Sequence, residues 1–293
     1  MMSDERVPIL IASGNPHKRE EIQAAFESES AGDAPGFSLL TLADLGRVID
    51  EPIEDQPTFE GNGALKAKYY ATQSGLLCLA DDSGLEVDAL GGEPGVISAR
   101  YSGETGPRSV VDPANNLKLM TRLGQTPAAD RVARFVCAMA LAAPGDHPWA
   151  TRLGGAAGAA DGAAVTSDSM DSTDTERSDA SVMSGDVLQE AAPILGDQQA
   201  TQAGDSIFLA AVRGVIEGRI LGPGDVGFTG DPARDARGRG DHGFGYDPLF
   251  IVPDLGRTTA EMNASQKNAI SHRGQASRLM FRRLVELVAG SVT

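Results

Sequence analysis

Between Gly154 and Asp205 the chain has no aromatic residue and is built mostly of Ala, Gly, Ser, Thr and Asp. Ten acidic residues stand there against one basic residue, Arg177, so the segment holds −9 of the chain's formal charge of −16. Such a composition cannot bury enough apolar surface to offset the entropy of ordering it. The sequence therefore predicts a disordered acidic insertion over 154–205, with a short helix near Val187 to Leu195. A regulatory or partner-binding tail is the other reading of the same composition. The fold is left to the two flanking blocks, read as a single domain over 1–293 that the insertion interrupts. A smaller loop rich in Arg, Asp and Gly follows at Gly230 to Asp241.

Those blocks alternate strand and helix patterns. Val7 to Ala12 reads as a buried strand, and His17 to Phe26 as a helix with Ile22, Ala25 and Phe26 on one face. Phe59 to Ser74 reads as a second helix and Leu76 to Ala80 as a strand. Asp112-Pro113 has the form of a helix start, with Asp as cap and Pro in the first turn, leading to Leu123. Phe135 to Leu141 reads as a strand and Ile207 to Leu221 as a hairpin around Arg213-Gly214. Leu279, Met280, Arg283, Leu284, Leu287 and Val288 have the spacing of an amphipathic C-terminal helix. The pattern is that of an α/β protein whose sheet includes antiparallel pairs.

Charge and cysteine content narrow the function. A net −16 argues against sequence-independent binding of DNA or RNA, which needs a basic footprint. It leaves a nucleotide open as substrate, since a local cluster of cations and backbone N–H groups suffices for a phosphate. No apolar run reaches the roughly 18 residues of a membrane span, and Met-Met-Ser-Asp-Glu-Arg lacks the charge of a signal peptide. The expectation is a cytoplasmic protein. Cys78 and Cys137, each inside an apolar run, read as buried thiols of a reducing compartment.

Four segments carry chemistry. Ser13-Gly14-Asn15-Pro16-His17-Lys18 follows a strand and opens a helix, where free N–H groups and the helix dipole suit a phosphate. An ordinary strand-turn-helix is the alternative. Asp81-Asp82-Ser83-Gly84 closes an apolar strand, where ligands of open α/β sheets bind. Its hard oxygens suit Mg²⁺ held together with substrate phosphates. Neighbouring side chains on a strand point to opposite faces, so only one of the two carboxylates need enter the site. The alternative is a solvated Asp turn. Gly243-Phe244-Gly245-Tyr246-Asp247-Pro248 offers aromatics for stacking on a base, or else a tight turn packed on the core. Lys267, Ser271, His272 and Arg273 form a cationic cluster before the last helix, or else a helix cap.

Together with Leu79 to Gly92, Pro94 to Gly103, Gly243 to Phe250 and Ala269 to Ala276, the Ser13 to Lys18 segment resembles the inosine-triphosphate pyrophosphatase family, on its bacterial dITP/XTP pyrophosphatase branch. The resemblance runs in order from Ile9 to the C-terminal helix and skips only the two loops. It implies a long mixed sheet flanked by helices, two lobes around a cleft, and a homodimer. It implies a purine nucleoside triphosphate as substrate and Mg²⁺ as cofactor. Ser13, Gly14, Asn15, Pro16, His17 and Lys18 would hold the triphosphate, with Lys66 nearby. Asp82 would accept a proton and, with Glu54, serve the metal; Ser83 would touch substrate. Phe244, Gly245, Tyr246, Asp247, Lys267, His272 and Arg273 would surround base and sugar. A pyrimidine-directed pyrophosphatase and a catalytically dead nucleotide-binding regulator are the competing readings. One departure stands out: Gly61 and Gly63 replace a family Glu and Ala, which leaves the Glu's role unfilled and predicts a weaker start to the helix carrying Lys66.

Overall fold

The computed structural model describes residues 6–30, 36–149 and 206–289. The main elements are β1 (Val7–Ile11), α1 (Pro16–Glu29), β2 (Phe37–Thr41), α2 (Phe59–Ser74), β3 (Leu77–Val87), α3 (Arg108–Leu123), β4 (Val132–Pro144), β5 (Ser206–Ile220), β6 (Phe250–Val252), β7 (Arg257–Thr258), α4 (Ala264–Ile270) and α5 (His272–Ala289). They build one seven-stranded sheet in the order β2-β1-β3-β4-β5-β6-β7. β1 runs parallel to β2 and β3, and every other pair is antiparallel. This is the mixed sheet flanked by helices that the motifs implied.

Strand alternation assigns each helix its face. Ile9, Ile11, Leu77, Leu79, Cys137, Met139 and Leu141 pack with Ile22 and Phe26 of α1 and with Met280, Phe281 and Leu284 of α5. The intervening Leu10, Ala12, Cys78, Ala80, Ala140 and Ala142 pack with Ala67, Tyr70 and Ala71 of α2. On β3, odd-numbered residues thus face α1 and α5 and even-numbered residues face α2. The far ends of β3, β4 and β5 join a second core with Leu119, Met120 and Leu123 of α3 and Phe250 of β6. The long strands therefore run from one lobe into the other, and Asp81 to Ser83 lie between the two cores. Cys78 and Cys137 are buried free thiols, as expected.

Several sequence expectations change. β3 does not end at Asp81 but continues to Val87, with Asp81 opposite Met139 and Asp82 opposite Ala138. Residues 207–221 form no hairpin; Ser206–Ile220 is one strand, and Gly214 sits mid-strand opposite Cys137. Its glycine serves close packing, because a Cβ there would lie 2.1 Å from the His272 carbonyl oxygen at the start of α5. α3 starts at Arg108 rather than Asp112, with Pro113 inside it. Asp112 is drawn elsewhere: it accepts from the Gly245 amide at 3.0 Å.

Gly61 and Gly63 lie in the first turns of α2. Thr58 caps the helix by accepting from Gly61 N at 3.0 Å. A Cβ on Gly61 would lie 2.8 Å from the Gln56 Cβ, so Gly61 lets the preceding loop fold back on the helix. Glu60 carries the acidic charge here and pairs with Arg213.

The 154–205 insertion and its expected helix lie outside the described residues. Pro144 and Ser206 are paired across the β4–β5 ladder, so the intervening chain leaves and returns at one end of the hairpin. Closure entropy grows slowly with loop length. Exchanging residues 154–205 for a short Gly/Ser turn should therefore move the melting temperature by no more than about 5 °C, roughly 1–2.5 kcal/mol at this size. A much larger drop by calorimetry would mean that the segment packs on the fold.

Candidate active site

The cleft between the lobes is a cavity of about 230 Å³ whose walls include Ser13, Asn15, Lys18, Glu54, Lys66, Asp81, Asp82, Phe244, Lys267 and Arg273. At one end β1 stops and α1 begins. Asn15 caps α1 by accepting from His17 N at 3.1 Å, and its side-chain N–H₂ is buried without a partner. An orphaned donor beside a helix N-terminus suits an anionic oxygen. Pro16 occupies the first helical position, and Gly14 is an exposed part of the cleft wall. Ser13 Oγ accepts from Asn15 N at 3.3 Å.

The two carboxylates of β3 serve two different helices. Asp82 faces α2, accepting from Asn62 Nδ2 at 3.1 Å and pairing with Lys66 Nζ at 3.2 Å. Lys66 also meets Glu54 at 2.9 Å. Burial raises the proton affinity of Asp82, Glu54 adds to this, and Lys66 opposes it. Burial weakens the charge of Lys66, but Asp82, Asp81 and Glu54 outweigh it and hold the amine protonated. Asp81 faces the other way and meets Lys18 Nζ at 2.9 Å and Arg273 Nε at 3.3 Å. Burial works against its charge, yet these cations hold its carboxyl well below the usual carboxylate range. Both carboxylates therefore line the cleft, each from its own face of the sheet.

Beside the start of α1 the 243–247 loop presents Phe244. Its ring stacks on His17 at 5.5 Å between centroids, with Arg108 at 4.8 Å and Lys267 at 4.9 Å. Asp247 is buried and holds the loop in shape: Oδ2 accepts from Phe244 N at 2.8 Å and from Lys267 Nζ at 2.7 Å, and Oδ1 from Thr259 Oγ1 at 2.7 Å. Gly243 is required beneath it, with φ +77° and Asp247 Oδ2 2.1 Å from where a Cβ would stand. Tyr246 is buried and donates its hydroxyl to Ser98 O at 2.8 Å. Of the two aromatics, Phe244 is the one with a ring free enough to meet a ligand, while Tyr246 anchors the wall.

His272 is buried, stacks on Phe135 at 5.0 Å, and is held neutral by burial and by Arg273 and Lys267. Arg273 reaches Ser83 Oγ at 2.7 Å and pairs with Glu21. Glu21 also takes Lys267 at 3.1 Å and forms part of a larger cavity of about 770 Å³ that shares Phe244 and Lys267 with the cleft. The sequence reading missed Glu21, Asn62 and Arg108. Glu21 and Asn62 each lie on the buried side of a helix, among or beside its apolar positions, and a charged or amide residue there was the available signal.

These positions can be compared with known proteins. The model of the Ham1 family matches residues 9–164 and 205–283, which is most of the chain. The chain belongs to the Ham1 family. A dITP/XTP pyrophosphatase of Bifidobacterium longum subsp. infantis is 36% identical over 282 residues, covering 92% of this chain and 94% of that protein. A dITP/XTP pyrophosphatase of Thermus thermophilus is 34% identical over 274 residues, covering 93% and 89%. Among solved structures, a HAM1 protein from Coxiella burnetii superposes with a TM-score of 0.60 at 28% identity, covering 96% of this chain and 99% of that one. The family match breaks off at 164 and resumes at 205, inside the acidic segment. The resemblance read from the five motifs holds.

Proposed function

We propose that this chain hydrolyses non-standard purine nucleoside triphosphates, ITP, dITP and XTP, to the monophosphate and pyrophosphate. The observation that carries the reading is the content of one cleft. Carboxylates, Lys18, Lys66 and a helix N-terminus line it together with Phe244, Lys267 and Arg273. That is the layout a triphosphate joined to a base requires. The dITP/XTP pyrophosphatase names of the relatives support the same chemistry.

The reaction places water on the α-phosphorus and expels pyrophosphate. Lys18, Lys66 and the amides at the start of α1 offset the charge on the phosphate oxygens. Asp82, whose proton affinity burial raises, takes the proton of the attacking water. Asp82 and Glu54 converge on a single cationic point, the Lys66 amine, at 3.2 and 2.9 Å. Hard carboxylate oxygens around one cationic point fit Mg²⁺ bound with substrate phosphates, and these two residues would hold it. A magnesium ion held there would supply further neutralisation of the phosphate oxygens.

Base selection falls to donors. Hypoxanthine and xanthine carry a carbonyl at the purine 6-position and adenine an amine. Lys267 and Arg273 can donate to the first, whereas the amine, itself a donor, offers them no acceptor. Asp247 supports this by orienting Lys267 and the Phe244 loop. We further propose one domain carrying 154–205 as an insertion, assembly as a homodimer, and a cytoplasmic site of action without nucleic-acid or membrane partners. Among the described residues no helix is long and apolar enough to cross a membrane.

Product analysis tests the reaction class. With Mg²⁺ and ITP the protein should yield one pyrophosphate per IMP, and chelation by EDTA should abolish turnover. Release of orthophosphate with IDP accumulating, or full activity in EDTA, would remove this reading.

A further inference from the structure

Asp81 has no task in the mechanism above, yet it is among the most enclosed charges in the protein, at 3% exposure. Its Oδ2 receives Lys18 Nζ at 2.9 Å, Arg273 Nε at 3.3 Å and Ser83 Oγ at 3.3 Å. Its Oδ1 is buried without a partner. Lys18 comes from the first turn of α1 and Arg273 from the first turn of α5. Under the proposed function Lys18 grips the phosphates and Arg273 reads the base, yet both reach the same carboxylate oxygen.

Among the described residues, the ion pair of Lys18 is with Asp81. Arg273 has Glu21 and Ser83 besides. Without Asp81 the two cations would face one another with their shared counter-charge gone. A metal role for Asp81 is disfavoured by the same neighbours, because a divalent ion beside Lys18 and Arg273 meets like charge. Asp82 differs, because a second carboxylate, Glu54, shares its Lys66 partner.

We infer that Asp81 is a positioning residue that ties the phosphate grip of Lys18 to the base-reading guanidinium of Arg273. It touches neither substrate nor metal. A base carbonyl that draws Arg273 changes how much of the carboxylate is left to Lys18, and a phosphate that draws Lys18 changes how Arg273 is held. The free Oδ1 gives either cation a second acceptor as it shifts. Base recognition and phosphate binding are thereby coupled through one buried carboxylate. This rests on the substrate reading given above.

The test compares wild type with Asp81→Asn, which keeps shape and removes charge, on ITP, ATP and inorganic triphosphate over a range of Mg²⁺. KM for ITP should rise about tenfold or more while kcat stays within about threefold. The ITP-to-ATP ratio of kcat/KM should narrow by about fivefold or more, inhibition by inorganic triphosphate should weaken, and half-activation by Mg²⁺ should not move. An equal fall for ITP and ATP would make Asp81 merely structural and overturn the inference. A raised Mg²⁺ requirement with an unchanged ratio would make it a metal ligand and overturn it too.

Should Asp81→Asn fail to fold, Lys18→Met, Arg273→Met and the double variant carry the test. Coupling predicts a combined loss in kcat/KM for ITP at least about tenfold smaller than the product of the single losses. A combined loss within about twofold of that product overturns it. Wild type showing no preference for ITP would sink the substrate reading; an intact wild-type preference with an unchanged Asp81→Asn ratio sinks only the coupling.

Discussion

Asp82→Asn should lower kcat on ITP by about 100-fold or more, the usual loss when a general base is removed. The substitution is nearly isosteric, and the amide can still receive the Asn62 Nδ2 hydrogen bond now made at 3.1 Å. The loss would therefore fall on chemistry rather than on folding. Lys66 would keep Glu54 at 2.9 Å as its partner, so nucleotide binding measured without metal should change little. Burial makes Asp82 a better proton acceptor than an exposed aspartate, whereas Lys18 and Arg273 hold Asp81 ionised and poorly basic. Steady-state kinetics on both variants separates them. Near-full turnover in Asp82→Asn, with kcat collapsing in Asp81→Asn, would show that the roles of the two carboxylates are reversed.

Gly214→Ala should destabilise the fold by at least about 3 kcal/mol, the upper range for overpacking, because the colliding atoms are backbone and cannot turn away. A methyl there would stand 2.1 Å from His272 O and 2.7 Å from Ala276 N. Either α5 lifts off β5 or the strand bends. Both routes disturb Arg273, one residue from the collision. The melting temperature should drop by roughly 6–12 °C, at 2–4 °C per kcal/mol for a protein of this size, and activity should fall with it. Gly63→Ala is the contrast, since its methyl would meet Ala138 O at 3.3 Å, a tight but relievable contact. Thermal unfolding of both variants decides the matter, and equal melting temperatures would contradict the packing account.

Gly214 also shows what the sequence could not say. An Arg-Gly pair inside an apolar run carries the same local signal whether the chain turns or another backbone approaches. Only the placement of α5, which is set by long-range packing of Met280, Phe281 and Leu284 on β4 and β5, distinguishes the two. The start of α3 was misplaced for a related reason: Asp112-Pro113 has the composition of a cap, but the carboxylate is taken by Gly245 N from far along the chain.

Local signals did succeed where the pattern is local: the burial of Ile22, Ala25 and Phe26 on α1 follows their spacing. The Asp pair, Lys18, Phe244, Lys267 and Arg273 were legible because they lie in motifs, and Lys66 only through the family resemblance. Glu21 was not, since its meaning comes from Arg273 and Lys267, which reach it only in the folded chain. The individual tasks of Asp81 and Asp82 were half legible. Strand alternation shows that they part, but the helices on each face decide which carboxylate meets two cations and which one meets Lys66 and Glu54.

The central claim is base-selective release of pyrophosphate, and the most direct test is kcat/KM for ITP, XTP, GTP and ATP in Mg²⁺, read as pyrophosphate formed. ITP and XTP should exceed ATP by at least about 100-fold, roughly 2.7 kcal/mol of discrimination at the 6-position. Equal use of ATP and ITP would contradict it.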